Sequence, residues 1–110
     1  MRILIVEDDW NLARQLKKGL DEDGHSATVA NEGREGMEAA LAGEFDFVAL
    51  DVMLPGMDGF VIVRRLQAQQ VRTPILLLTA RDANEDIVME DYLPTRRAMR
   101  VDPIQALRHA

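Results

Sequence analysis

Short apolar runs alternate along the chain with stretches of helical periodicity, and this alternation constrains the fold more than any other feature. The apolar runs cover residues 3–6, 27–30, 45–50 and 75–78. Between the first two runs, Leu12, Leu16 and Leu20 recur every four residues and form one apolar stripe. Strands that alternate with helices are typical of parallel βαβ units. The pattern therefore predicts an α/β fold built on four parallel strands.

Polar residues at the expected helix starts support three helices. Asp9 and Asn31 are suited to cap the first and second helices, and Asp58 is predicted to lie in the first turn of the third. The residues expected to face the core in the third helix are Phe60, Val63 and Leu66. Beyond residue 83 no stretch resembles a buried strand, and Pro94 and Pro103 interrupt the remainder. We therefore predict a helical C-terminal tail.

The length, composition and charge of the chain exclude several classes of protein. The chain has 110 residues, 47% of them hydrophobic, which fits a single domain that folds by burial alone. It has no cysteine and no apolar run long enough to cross a bilayer, so we expect a cytoplasmic protein without a membrane segment. Residues 1–93 carry 9 basic and 18 acidic side chains, whereas residues 94–110 carry 4 and 1. An acidic body disfavours direct nucleic-acid binding.

Acidic side chains follow two of the predicted strands. Glu7 and Asp8 come directly after the first strand, Asp51 after the third, and Thr79 after the fourth. The carboxyl ends of strands in a doubly wound parallel sheet meet at one edge, so we expect these residues to converge there. Carboxylates that lie so close together repel one another and need a cation between them. Because the available ligands are all oxygen atoms, the cation that they favour is Mg²⁺. The sequence predicts a magnesium site suited to phosphate.

Each of these residues also has a simpler interpretation. Glu7 and Asp8 could only stabilise the start of the next helix. Asp51 could be a solvated loop residue, and Thr79 could be no more than a good strand former at the end of its strand.

Three segments resemble the receiver domain of two-component response regulators, most closely the branch of winged-helix transcription factors. They are ILIVEDD at 3–9, LDVMLPGMDG at 50–59 and LLLTARD at 76–82, in the family's order and spacing. The resemblance implies a flavodoxin-like doubly wound parallel sheet, truncated here to about four strands in the order 2-1-3-4. It implies an incomplete receiver domain at 1–86 and an atypical helical tail at 87–110 in place of the usual fifth strand and helix.

The same resemblance implies a role for each residue. Asp51 would be the phosphoacceptor for a sensor histidine kinase. Asp8 and Asp51 would bind Mg²⁺ directly, Glu7 through a water, and Met53 through its backbone carbonyl. Thr79 would bind the phosphoryl group through its hydroxyl. The protein would be a signalling module and not an ordinary enzyme.

The C-terminal region departs from the family. Receivers normally have a lysine, followed by proline, at the end of the fifth strand, and this chain has no lysine beyond Lys18. Residues 92–109 instead resemble the C-terminal tail of macrolide-exporter-type ABC permeases. This suggests a gene fusion near residues 87–92 that need not have brought any transporter function.

These departures leave several hypotheses. The apolar edge of the fourth strand would need cover from the tail or from a second chain, as a homodimer or by strand exchange. Without the lysine, phosphorylation could be weakened unless Arg96 or Arg97 substitutes for it. One alternative is a degenerate pseudo-receiver that works by protein contacts. Another is a Mg²⁺-dependent phosphohydrolase. Such enzymes often have a second aspartate two positions after the nucleophile, and the presence of Met53 at that position disfavours this alternative.

Overall fold

The computed structural model describes residues 1–79 and 97–101, which contain seven strands and three helices. The strands are β1 (Arg2–Val6), β2 (Ser26–Ala30), β3 (Phe47–Asp51), β4 (Met53–Leu54), β5 (Met57–Asp58), β6 (Ile75–Thr79) and β7 (Arg97–Val101). The helices are α1 (Trp10–Glu22), α2 (Gly33–Leu41) and α3 (Gly59–Ala68). In that part of the chain, no helix is long and apolar enough to cross a membrane.

Five of these strands form one sheet in the order β2-β1-β3-β6-β7. The pairs β1–β2, β1–β3 and β3–β6 are parallel, which confirms the predicted order of the four parallel strands. The third strand begins at Phe47 and not at residue 45, and it includes Asp51. All four carboxyl ends therefore lie at the same edge of the sheet.

The core lies on both faces of the sheet, because successive strand residues point to opposite sides. On one face, residues such as Leu4, Val48 and Leu77 are buried against α2 and α3. On the other face, residues such as Ile5, Ala49 and Leu76 belong to the cluster that contains Leu16 and Leu20 of α1. The predicted doubly wound arrangement, with helices on both faces, is confirmed.

The cap predicted at Asp9 is confirmed, because its side chain accepts hydrogen bonds from the N–H groups of Asn11 and Leu12 at the start of α1. Asp58, predicted within the first turn of the third helix, lies one residue before α3 and caps it through the N–H of Phe60. The cap predicted at Asn31 is wrong, because the residue before α2 is Glu32 and its side chain makes no capping bond.

The predicted core face of α3 needs one correction. Val63 and Leu66 are buried, but Phe60 is 43% exposed and Ile62 is buried in its place. Residues 59, 62, 63 and 66 share one side of a helix with 3.6 residues per turn, and residue 60 lies outside that stripe.

The tail prediction is wrong for Arg97–Val101, which form strand β7 antiparallel to β6 and not a helix. The segment between Pro94 and Pro103 is shorter than the roughly 12–15 residues that an isolated helix needs for stability. An extended conformation instead satisfies the backbone groups at the apolar edge of β6. The helical pieces predicted in the rest of residues 87–110 lie outside the described residues.

Candidate metal and phosphate site

The carboxyl ends of β1 and β3 bring three acidic side chains together. Glu7 and Asp8 directly follow β1, and Asp51 is the last residue of β3. One carboxylate oxygen from each of the three lies within 4.8 Å of the others. The predicted convergence of these residues is therefore present, although Asp51 follows Asp8 by 43 positions in the sequence.

The three carboxylates differ in their access to solvent. Glu7 is only 1% exposed and Asp51 only 2%, and they are the buried charged residues among those described. Asp8 is exposed. Two of the three carboxylates therefore lie in the interior and the third lies at the surface, where an ion or a phosphoryl group could arrive from solvent.

Burial raises the pKa of Glu7 to about 8. The hydrogen bond that protonated Glu7 donates to the Asp51 carboxylate and the charge of Asp51 act in the same direction, while the hydrogen bond that Glu7 accepts from the backbone N–H of Asp9 lowers the pKa. A buried carboxylate next to a second one is costly in its ionised form. Without a cation, Glu7 therefore holds a proton at neutral pH.

Backbone and amide groups hold these carboxylates in place. The N–H of Met53 donates to Oδ1 of Asp51 at 3.0 Å, and the N–H of Asp9 donates to Oε2 of Glu7 at 3.2 Å. Nδ2 of Asn31 donates to the backbone carbonyl of Glu7 at 3.1 Å. Asn31 therefore connects the end of β2 to the end of β1, which explains why it does not cap α2.

A glycine allows the start of α3 to approach the end of β3. The N–H of Gly59 donates to the carbonyl of Val52 at 2.9 Å. A Cβ atom at Gly59 would lie 2.7 Å from the backbone oxygen of Asp51 and 2.9 Å from Cα of Val52. Only glycine fits without a shift of the backbone that carries Asp51.

Met53 and Thr79 occupy the positions that the sequence predicted. Met53 begins the short hairpin of β4 and β5, two residues after Asp51, and its side chain is 79% exposed. Thr79 ends β6, one residue beyond Leu78, which pairs with Asp51. Both residues therefore lie at the same edge of the sheet as the acidic cluster.

The donor set fits Mg²⁺. Hard divalent cations prefer oxygen ligands, and Mg²⁺ is usually held by one or two carboxylates with the remaining positions left to water and phosphate. Burial, and after it the hydrogen bond and the charge of Asp51, make the ionised form of Glu7 costly, and a divalent cation would reduce that cost.

Two residues of this site were not identified from the sequence. Asn31 was interpreted as a helix cap, and its contact with Glu7 depends on the pairing of β1 with β2. Gly59 lies in the segment 50–59, but nothing in the pattern showed that its missing side chain makes room for Asp51.

A family model described as the response regulator receiver domain matches residues 3–91 of the chain. A transcriptional regulatory protein of Bacillus subtilis, YkoG, is 48% identical over 86 residues, which are 78% of this chain and 38% of the relative. The transcriptional regulatory protein TcrA of Mycobacterium tuberculosis is 43% identical over an alignment of 99 residues that covers 84% of this chain and 39% of the relative. The chain thus spans less than half the length of these curated relatives.

Solved structures show the same fold. The receiver domain of Francisella response regulator 1452 superimposes with a TM-score of 0.71 at 30% identity, covering 76% of this chain and 69% of that structure. The BeF3-activated receiver domain of Klebsiella pneumoniae RstA gives a TM-score of 0.70 at 33% identity, covering 76% and 71%. These matches concern response regulators, and they do not support the resemblance of residues 92–109 to permease tails.

Proposed function

The chain belongs to the response regulator receiver family, and on that premise we propose that it accepts a phosphoryl group on Asp51 from a sensor histidine kinase. The observation that carries the proposal is the cluster of Glu7, Asp8 and Asp51 at the carboxyl edge of the sheet. The chain spans less than half the length of these curated relatives, so any activity of the whole protein is likewise a proposal.

The proposed reaction is a transfer between two side chains. A carboxylate oxygen of Asp51 attacks the phosphorus of a phosphohistidine, forming an O–P bond while the P–N bond breaks and its electron pair goes to the imidazole nitrogen. The backbone N–H of Met53 holds the Asp51 carboxylate from one side and so restricts its orientation. The resulting acyl phosphate hydrolyses to regenerate Asp51, so the chain is a phosphoacceptor with self-dephosphorylation and not an enzyme that acts on external substrates.

We propose that Asp8 and Asp51 hold Mg²⁺ directly, that Glu7 acts through a water, and that the backbone carbonyl of Met53 adds a further oxygen. Bound Mg²⁺ supplies positive charge that offsets the carboxylates and the incoming phosphoryl oxygens. The burial of Glu7 supports this arrangement, because a deprotonated Glu7 needs that charge. Thr79, at the end of β6, is proposed to donate its hydroxyl to a phosphoryl oxygen.

The boundaries and partners of the module are also proposals. We infer a receiver unit at residues 1–86 and an atypical tail at 87–110, in a cytoplasmic protein that does not bind nucleic acid directly. Because β7 pairs with β6 within the chain, a homodimer through that edge would require exchange of β7 between two chains. The origin of residues 92–109 by gene fusion remains a hypothesis.

The test is labelling with acetyl phosphate, with and without Mg²⁺, of the full chain and of Asp51→Asn. We expect incorporation that requires both Mg²⁺ and Asp51. Absence of incorporation would contradict the proposal and indicate a pseudo-receiver that acts by protein contacts. Turnover of a generic phosphate ester would instead indicate a phosphohydrolase.

A further inference from the structure

Within the described part of the chain, β2 lies at one end of the sheet and has β1 as its single neighbour. The N–H of residue 26 donates to the carbonyl of Met1, and the carbonyl of residue 30 accepts from the N–H of Glu7. Residues 26, 28 and 30 therefore direct their backbone groups towards β1, and Ala27 and Val29 direct theirs away from the sheet. An outward edge of this kind is a place where a strand of another chain can pair.

Two side chains of α1 bind the outward backbone groups of Ala27. Oδ1 of Asp21 accepts a hydrogen bond from the N–H of Ala27 at 3.2 Å, and Nζ of Lys17 donates to the carbonyl of Ala27 at 2.7 Å. Lys17 and Asp21 also form an ion pair with each other at 2.9 Å. The hydrogen bond from Lys17, and after it the one from the N–H of Ala27, lowers the pKa of Asp21. The pair thus supplies one acceptor and one donor, as the backbone of a neighbouring strand would.

A contribution to folding does not account for this arrangement. The side chains of Lys17 and Asp21 are 45% and 42% exposed, and an exposed ion pair at this helical spacing stabilises a protein only slightly. Arg34 and Glu38 form a pair of the same spacing in α2, and in the described residues that pair makes no hydrogen bond to a strand. The distinguishing property of the Lys17–Asp21 pair is the strand backbone that it covers.

We propose that Lys17 and Asp21 form an autoinhibitory contact that prevents the β2 edges of two copies of this chain from pairing. Without the contact, an antiparallel pair about a two-fold axis would place Ala27 of each copy opposite Val29 of the other, and Thr28 opposite Thr28. The outward N–H and C=O groups of residues 27 and 29 would then be hydrogen-bonded between the copies. The inference does not involve the acidic cluster and does not depend on the proposed phosphoacceptance.

The surroundings of the edge favour a second copy as the partner. A groove of about 440 Å³, with Trp10 and Ala13 in one wall and Val29 in the other, lies between α1 and this edge and leaves room for another strand. Because α1 runs antiparallel to β2, Arg14 lies towards the end of β2 and the acidic residues 21–23 lie beside its start. The two-fold axis would therefore bring Arg14 of each copy near the acidic residues of the other.

The first experiment measures self-association by sedimentation velocity for the full chain, for Lys17→Met/Asp21→Ala and for Lys18→Met/Glu22→Ala. The last variant is the matched control, because it makes the same charge change at the next positions of α1 and removes no described hydrogen bond to β2. We expect Lys17→Met/Asp21→Ala to lower the dimer dissociation constant about tenfold or more, because backbone groups become available for hydrogen bonds between copies.

The control variant should stay within about twofold of the unmodified chain, and all three chains should unfold at similar urea concentrations. If Lys17→Met/Asp21→Ala does not fold, Lys17→Met alone still exposes the carbonyl of Ala27 and should give a smaller gain in association. No gain when the contact is removed, or an equal gain in the control, would overturn the inference.

The second experiment locates the interface by disulfide formation, since the chain has no cysteine of its own. Added to Lys17→Met/Asp21→Ala, Thr28→Cys places a thiol opposite itself at a non-hydrogen-bonded position, where the Cα atoms are about 4.5 Å apart and suit a disulfide. Ser26→Cys in the same strand would lie opposite residue 30 and is the control. We expect Thr28→Cys to cross-link about tenfold faster than Ser26→Cys under mild oxidation. Equal rates would show that the copies associate through another surface and would contradict the inference.

Discussion

Two regions of the sheet differ in how closely they follow the strand arrangement of a receiver domain. One region contains β1 and β3, and the other contains β6 and β7. Over β1 and β3, parallel strands place Glu7, Asp8 and Asp51 together. Beyond β6, the sheet continues with an antiparallel strand, which reverses the direction of the chain at the position of the usual fifth strand. The three acidic residues therefore come from the ends of β1 and β3, and among the described residues the cluster is present without a fifth parallel strand.

The largest expected effect comes from removing β7. Deletion of residues 97–110 should leave unpaired the backbone groups of β6 that bind β7. The exposed strand edge should then cause the chain to self-associate. Deletion of residues 102–110 alone keeps β7 and serves as the control. Light scattering measures both. If the two deletions have the same oligomeric state, β7 does not protect this edge.

The second prediction tests the close packing at the end of β3. Gly59→Ala should destabilise the fold by about 3 kcal/mol, because its Cβ would meet the backbone oxygen of Asp51 at 2.7 Å. In Gly43→Ala the new Cβ meets nothing within 4 Å, and the cost of about 1 kcal/mol comes only from its positive φ of 76°. Urea unfolding measures the difference. Equal costs would show that the approach of α3 to Asp51 is not tight.

The third prediction concerns the exposed carboxylate of the cluster. Asp8→Asn should weaken Mg²⁺ binding about tenfold, because a charged ligand is lost. Asp9→Asn is the control, since Asn caps a helix about as well as Asp and Asp9 is outside the cluster. Titration followed by Trp10 fluorescence compares the two. A similar loss in both variants would mean that net charge and not ligation controls Mg²⁺ affinity.

The smallest effect follows from the raised pKa of Glu7. Mg²⁺ competes with the proton on Glu7, so apparent Mg²⁺ affinity should rise about fivefold from pH 7 to pH 8, as Glu7 titrates near its pKa of about 8. Without Mg²⁺ the native state retains this proton while the unfolded chain loses it above about pH 4.5. The contribution of Glu7 to stability is therefore complete below about pH 4.5 and is lost as pH rises through 8. Glu7→Gln should abolish both dependences; if it does not, another group is responsible.

The features that could be predicted from the sequence are those that depend on residues close together in the chain or on the ends of parallel strands. The apolar runs identified β1, β2, β3 and β6, and the acidic residues at their ends identified the cluster, because parallel strands must end at one edge. Asp9 was predicted as a cap because a cap depends only on residues within one helical turn.

The sequence could not predict features that depend on contacts between distant segments. Strand β7 has no strong apolar pattern of its own, and it is extended because the edge of β6 offers it backbone partners. Asn31 looks like a cap until β2 is placed beside β1 and its amide meets the carbonyl of Glu7. The space that Gly59 leaves for Asp51 likewise exists only once α3 is docked.

The most direct test of the central claim is to find which residue carries the phosphoryl group. The full chain is incubated with acetyl phosphate and Mg²⁺ and then reduced with borohydride, which converts an aspartyl phosphate to homoserine, and peptide mass spectrometry locates the product. The account predicts homoserine at position 51 only when Mg²⁺ is present. Homoserine at position 8 or 58 instead, or none at any position, would contradict it.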